Sequence, residues 1–165
     1  MLMWKFFQIA LLGGAALVFV TMTSADLPVF PAAHFGADGT PNALMTRRGY
    51  VAFVYFFVAV VPLFVSLLPV LVGRRWPNSL NIPNSDYWLG PERRPDTFAT
   101  VESRTRLLAG AMIVFICYVH WLVVQANAAM PQRLDEAQFM VGLGIFALFI
   151  IGWIGSFYMR FRRQR

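Results

Sequence analysis

Four long apolar stretches constrain this chain more than any other feature of its sequence. They run over about 4–22, 50–73, 107–126 and 139–159, and none has a charged residue in its interior. Each is close to the roughly 20 residues that a helix needs to cross a bilayer core of about 30 Å. Backbone groups inside lipid must hydrogen-bond within the chain, which favours helices. The sequence therefore predicts an all-α, integral membrane four-helix bundle that occupies residues 1–165 as one domain.

The composition excludes the main alternatives to a membrane protein. The chain is 58% hydrophobic and 13% charged, whereas soluble domains have roughly 45–50% and about 25%. A soluble or disordered chain is therefore excluded. One cysteine, Cys117, excludes an internal disulfide and a cysteine-cluster metal site. The first stretch also resembles a secretory signal, with Lys5 at its start and Thr23-Ser24-Ala25 after it. We expect a retained helix, with Lys5 snorkelling at its edge.

The distribution of basic residues predicts the topology. The first segment contributes one lysine, residues 74–106 contribute six arginines and residues 160–165 contribute four. The other loops, 23–49 and 127–138, hold three arginines together. Basic residues concentrate on the cytoplasmic side of a membrane. Since one side has eleven lysines and arginines and the other has three, both termini and loop 74–106 are predicted to lie in the cytoplasm. The arginines are expected to meet anionic lipid headgroups, and no nucleic-acid partner is expected.

Two kinds of intramembrane residue stand out as candidates for function. Cys117 and His120 lie three apart on one helical face, and polar residues in membrane helices are functional candidates. We expect a structural or interfacial histidine; a metal or haem-type ligand is the alternative. Pro62 and Pro69 predict bends in the second helix, with Ser66 available to bond a freed carbonyl. These bends form a hinge or are simply tolerated by packing.

Small residues four apart predict close helix contacts. Two such pairs occur, Ala10 with Gly14 in the first helix and Gly152 with Ser156 in the fourth. Small side chains let helix backbones approach closely in lipid. The contact is either within the bundle or with a partner subunit.

The two longer loops carry most of the polar side chains. In loop 23–49, His34 and Asp38 offer a weak metal site, but we expect a packed cap with Phe30 and Phe35 inserted and His34 in a buried hydrogen bond. In loop 74–106, Tyr87 and Trp88 are expected to anchor the chain at the membrane surface.

The end of loop 74–106 predicts a further helix. Asp96 or Thr97 should cap it, and it should continue into the third apolar stretch. Glu102 and the arginines on its other faces make it a solvated, charge-balanced connector or a partner-docking surface.

The outer loop also carries a family resemblance. Its pattern resembles domain of unknown function 1648, a bacterial membrane family that also forms the N-terminal part of immunity and signalling proteins. The residues that match are Leu27, Pro28, Pro31, His34, Phe35, Gly39 and Pro41. Asn42 stands where the family usually has aspartate.

A second segment extends the resemblance into the cytoplasmic loop. It is similar to the family's segment between helices two and three through Pro83, Asn84, Tyr87, Trp88, Pro91, Glu92 and Arg94. The resemblance implies a four-helix, multi-pass protein of the bacterial cytoplasmic (inner) membrane, and no particular reaction.

Three functions are compatible with these features. The first is a small non-enzymatic membrane protein that docks to, senses or stabilises a membrane partner. The second is an accessory subunit of a larger membrane complex, or a homo-oligomer. The third is an enzyme or transporter component, which four short helices without a repeat and without a nucleophile–base set disfavour. We expect no catalytic residue, cofactor or metal.

Overall fold

Helices account for most of the chain. The computed structural model describes the backbone of residues 2–162 and the side chains of residues 7–77 and 79–162. The side chain of Lys5 and residues 163–165 lie outside this description. The chain is 74% helical, which confirms the predicted helical class. The described helices longer than three residues are α1 (Leu2–Thr23), α2 (Arg47–Arg75), α3 (Ser85–Trp88), α4 (Arg94–Ala128) and α5 (Glu136–Arg162).

Three of these helices have the length and composition to cross a membrane. They are α2, α4 and α5, which cover the second, third and fourth apolar stretches. Within the described side chains, α1 provides a shorter apolar segment, Phe7–Thr23. The segment before the third stretch is helical and continuous with it, as the sequence predicts, so α4 has 35 residues.

The loop after α1 departs from a strictly all-α fold. It forms an antiparallel hairpin of β1 (Ala32–Phe35) and β2 (Pro41–Leu44). Gly39 turns the hairpin with a φ of +74°, and a Cβ placed on it would lie 2.5 Å from the Leu134 carbonyl oxygen. Only glycine fits this turn without strain. The all-α prediction is therefore wrong in this loop.

The helix starts have local causes in the sequence. Asp135 precedes α5, and its carboxylate accepts hydrogen bonds from the backbone and side-chain amides of Gln138. The bond from the Gln138 backbone N–H makes Asp135 the N-terminal cap of α5, and the Gln138 side chain is a second donor to the same carboxylate. The predicted cap of α4 by Asp96 or Thr97 is wrong: the helix begins at Arg94, and Thr97 instead donates its hydroxyl to the Trp88 carbonyl.

Proline distorts α2 at one of its two predicted positions. A π-helical segment, Phe56–Val60, directly precedes Pro62, whereas α-helix continues through Pro69. Proline cannot donate to the carbonyl four residues before it, and a π-helical turn is one way to accommodate the missing bond. The Ser66 hydroxyl donates to Leu63, whose carbonyl neither proline frees, so its predicted role is wrong.

Two apolar clusters hold the helices together, one at each end of the bundle. At the hairpin end, Val20, Tyr50 and Ile113 join residues of α1, α2 and α4. At the opposite end, Trp88, Val101 and Phe161 join α3, α4 and the last turn of α5. We call the latter the basic end, because Arg93, the arginines in the first half of α4 and those in the last turn of α5 gather there. Helix α1 begins and helix α5 ends at the basic end.

Candidate functional site

A buried histidine ties three helices together at the hairpin end. His120 Nε2 lies 2.8 Å from Thr23 Oγ1, and His120 Nδ1 lies 2.8 Å from the Tyr50 hydroxyl. The Thr23 hydroxyl also contacts the Phe19 carbonyl at 2.7 Å and donates to it. Because that uses its one proton, Thr23 accepts from Nε2–H, and Tyr50 donates to Nδ1. Both ring nitrogens of His120 are therefore hydrogen-bonded.

This arrangement corrects the interfacial interpretation of His120. The side chain is 2% exposed, so it does not reach water or a headgroup. Cys117 is half-buried against the same apolar cluster. Within the described residues, no group of three histidine, cysteine or acidic side chains is placed to hold a metal.

The outer-loop motif residues divide between the core and the surface. Leu27 and Pro31 are buried, and Phe35 packs against the core of the hairpin end. Pro28 is exposed and Pro41 begins β2. His34 is exposed and hydrogen-bonds Asn42 Oδ1, so its expected buried bond is wrong. Phe30 is 58% exposed, which also corrects its expected insertion.

Asp38 takes part in the hairpin turn. Its carboxylate accepts from the hydroxyl and the backbone N–H of Thr40. These bonds, the hydroxyl first, lower the pKa of Asp38 below its usual range.

A buried asparagine holds the hairpin on the bundle. Asn127 Oδ1 accepts from the Ala32 N–H at 2.8 Å, and Asn127 Nδ2 donates to the Ala32 carbonyl at 2.9 Å. The Met45 N–H donates to the Pro31 carbonyl on the β2 side, so the N–H and C=O of Ala32 point away from β2. Asn127 therefore does for β1 what a third strand would do. Sequence reasoning missed it.

The basic end contains a clamp on the last turn of α5. Trp88 Nε1 donates to the Phe161 carbonyl at 2.7 Å. Asn84, with a φ of +54°, donates to the carbonyls of Phe161 and Arg162. The last four carbonyls of a helix lack hydrogen-bond partners within the helix. The side chains of Trp88 and Asn84 supply partners for two of them, those of Phe161 and Arg162. Trp88 is 7% exposed, so its expected role as a surface anchor is wrong.

The other residues of the cytoplasmic motif surround this clamp. Tyr87 is half-buried beneath the Arg93 guanidinium, at 4.1 Å from the ring centroid. Arg94 Nε donates to the Leu89 carbonyl. Pro83 is half-buried, whereas Pro91 and Glu92 are exposed. The motif thus brings Asn84, Tyr87 and Trp88 together around the end of α5.

Glu102 corrects the solvated interpretation of the connector. Its side chain is 4% exposed and hydrogen-bonds Arg106, with Arg74 at 4.0 Å. A buried carboxylate needs such partners to remain charged. This face of α4 packs against the end of α2, where the Thr105 hydroxyl contacts the Ser66 carbonyl.

The small-residue pairs do not mediate contacts within the chain as pairs. A Cβ on Gly14 or Gly152 would meet no atom of another described segment within 4 Å, and Ala10 is exposed. Ser156 faces inward and accepts from Arg104. Gly142 is the glycine of α5 that packs closely: its Cβ would lie 2.1 Å from Tyr118 Cε1.

A wide apolar groove runs between α1 and α5, with α4 as its floor. Its cavity volume is about 910 Å³. Its apolar lining comes from all three helices: Ile9 and Leu12 of α1, Leu107, Gly110 and Val114 of α4, and Val141, Ile145 and Phe149 of α5. Gln8, Ser103 and Arg106 line it toward the basic end.

A polar cleft of about 740 Å³ lies at the basic end, between α3, α4 and α5. Arg93, Arg104 and Arg160 line it, with Asp96 as the acidic group among its lining residues. Arg160 lies over the Trp88 ring at 4.5 Å. The cleft is therefore positively charged and has aromatic walls.

The groove and the cleft join along one face of α4. Asp96, Arg104 and Arg160 also line a smaller cavity that extends to Ser103, and Ser103 lines the groove. Residues spaced three or four apart share a helix face, and Asp96, Thr100, Ser103, Leu107, Gly110 and Val114 follow that spacing. The result is one elongated site, charged at one end and apolar along the rest.

Comparison with known proteins adds no relative. No protein-family model, curated protein or solved structure matches this chain.

Proposed function

We propose that this chain is a non-enzymatic integral membrane protein that docks a second membrane component in the groove between α1 and α5. The groove is the observation that supports this proposal. Helices in lipid gain stability from close packing, and an apolar surface that faces a gap loses those contacts. In the described part of the chain, the groove is lined on three sides and open on the fourth. A membrane component that fills it recovers this contact energy.

The proposal includes a topology. The four apolar helices form a bundle in the bacterial inner membrane, with the hairpin end outside and the basic end in the cytoplasm. The basic-residue count supports this orientation. The resemblance of both loop motifs to domain of unknown function 1648 is compatible with it.

The structural roles of several buried polar side chains support the non-enzymatic part of the proposal. His120, Tyr50 and Thr23 hydrogen-bond one another and thereby join α1, α2 and α4. Asn127 accepts a hydrogen bond from the Ala32 N–H in the hairpin, and Trp88 donates one to the Phe161 carbonyl at the end of α5. These are structural roles.

Site-directed photocrosslinking in intact cells tests the docking site. A photoreactive residue at Val114, which is 61% exposed in the groove, should crosslink to a membrane component. The matched control is Leu71, which is 59% exposed on α2 outside the groove. Equal crosslinking from both positions, or none from Val114, would contradict the proposal.

Cysteine labelling tests the topology separately. Ala37→Cys and Ser85→Cys are made in a Cys117→Ala background. An impermeant reagent should label Ala37→Cys in intact cells and Ser85→Cys only after permeabilisation. The reverse pattern would invert the topology and leave the docking test unaffected.

An accessory subunit is the second candidate, and the exposure of α5 favours it. None of the most apolar 18-residue stretch of α5 is buried, whereas 22% of that of α2 and 28% of that of α4 are buried. Gly144 and Gly152 face open space, although glycine costs a helix about 1 kcal/mol relative to alanine. A partner helix packed on these glycines would offset that cost.

A further inference from the structure

We propose that the component held in the groove is a membrane lipid with an anionic headgroup, bound through that headgroup in the arginine-lined cleft. This inference rests on the proposed docking function and on the orientation given above. It adds the chemical class of the ligand and the part of the site that selects it.

The charge of the cleft favours an anion. Within the described residues, the ion pairs involve Arg74, Arg106 and Arg133. Arg93, Arg104 and Arg160 therefore have no carboxylate within salt-bridge distance in that part of the chain. Asp96 lines the cleft as well and offsets one positive charge, which leaves an excess of two.

The orientation of the arginines favours a phosphate. Arg93 lies over the ring of Tyr87 and Arg160 over that of Trp88, at 4.1 and 4.5 Å from the centroids. A guanidinium that stacks on a ring keeps the N–H groups at its edge available, and this planar donor set matches phosphate oxygens. Arg104 donates one N–H to Ser156 and has further donors available.

The continuity of the site favours a lipid over a soluble anion. The shared face of α4 leads from Asp96 and Arg104 through Ser103 to Leu107, Gly110 and Val114. A free phosphate would use only the charged end. A transmembrane helix would fill only the apolar part and would bring no negative charge to the arginines. An anionic lipid matches both ends, and the cytoplasmic leaflet is rich in such lipids.

Native mass spectrometry of the full-length protein, extracted in mild detergent, tests the ligand. We expect a phospholipid adduct of anionic headgroup class. Reconstitution in phosphatidylcholine nanodiscs, with and without phosphatidylglycerol, then measures selectivity. Phosphatidylglycerol should raise the thermal midpoint of the wild type, and additional phosphatidylcholine should not.

Two pairs of variants locate the site. Val114→Trp fills the groove, and Leu71→Trp adds the same ring to a similarly exposed position on α2 outside it. Arg160→Gln removes a stacked arginine from the cleft, and Arg75→Gln removes one that stacks on Trp76 outside it. Arg160→Gln should weaken phosphatidylglycerol binding about tenfold or more, since a hydrogen bond to a charged group is worth that much. Val114→Trp should also weaken it, because the indole ring occupies the groove that the lipid would fill. The two controls should bind as the wild type does.

Several results would overturn the inference. They are equal stabilisation by phosphatidylcholine, stabilisation by inorganic phosphate alone, or equal losses in a variant and its control. A protein rather than a lipid crosslinked at Val114 would also overturn it, while leaving the docking function in place. A lack of any crosslink at Val114 would refute both.

Discussion

Replacing Asn127 by alanine should destabilise the hairpin end strongly. The substitution leaves the N–H and C=O of Ala32 without their partners, and Ala32 is fully buried. An unsatisfied buried polar group costs about 1–3 kcal/mol, so two of them cost about 2–6 kcal/mol. The third bond of Asn127, to Val123, adds little, because that carbonyl belongs to the continuous helix α4.

Equilibrium unfolding in mixed micelles, followed by tryptophan fluorescence, measures this cost. The matched control is Gln132→Ala, since Gln132 donates to the same Asn127 Oδ1 at 3.3 Å from a half-buried position. The control should change the free energy of unfolding by less than about 1 kcal/mol. If Asn127→Ala were also within 1 kcal/mol of the wild type, Asn127 would not be the partner that satisfies β1.

Three further predictions address other contacts. Gly142→Leu should disrupt the packing of α4 against α5, since a Cβ at this position overlaps Tyr118. Gly152→Leu should insert and fold but lose oligomers or partners on native gels, because a Cβ there meets no atom of the bundle. If Gly152→Leu retains every partner, the Gly152 face of α5 is not an interface. Trp88→Phe should lower the free energy of unfolding by about 0.5–1.5 kcal/mol in a chemical melt, because the Phe161 carbonyl loses one of its two side-chain donors and keeps Asn84. An unchanged melt would contradict the clamp. Because the folded pKa of Asp38 lies below its unfolded value of 3.8, its contribution to stability is present above about pH 4 and is lost as the pH falls further. Asp38→Asn should reduce this loss of stability at acid pH in thermal melts. An unchanged acid dependence would count against the hydrogen bonds of Asp38 in the hairpin turn.

The sequence predicted the helices well because their cause is local. An apolar stretch of sufficient length has few alternatives in lipid, and the four predicted stretches coincide with α1, α2, α4 and α5. The helix that precedes the third stretch was also predicted, from its apolar spacing.

The environments of individual side chains could not be predicted, because their partners are far away in the chain. Trp88 has the composition of an interfacial anchor, but its partner Phe161 lies 73 residues later. Asn127 and Ala32 are 95 residues apart. The groove escaped prediction for the same reason: the spacing of Gly110 and Val114 shows that they share a face, but which face stays open depends on how α1 and α5 pack on α4.

Helix α4 is a single rod between the two ends of the molecule. Its 35 residues span about 52 Å, and its one proline, Pro95, lies in the first turn, where proline does not break a helix. Thr97 fastens the rod to α3 beside the cleft, and Asn127 fastens it to the hairpin. A rod without a hinge transmits tilt and rotation rather than absorbing them. A displacement of α4 at its arginine-bearing end would therefore be passed to β1 through Asn127, so that occupation of the proposed docking site would be detectable as a movement of the hairpin.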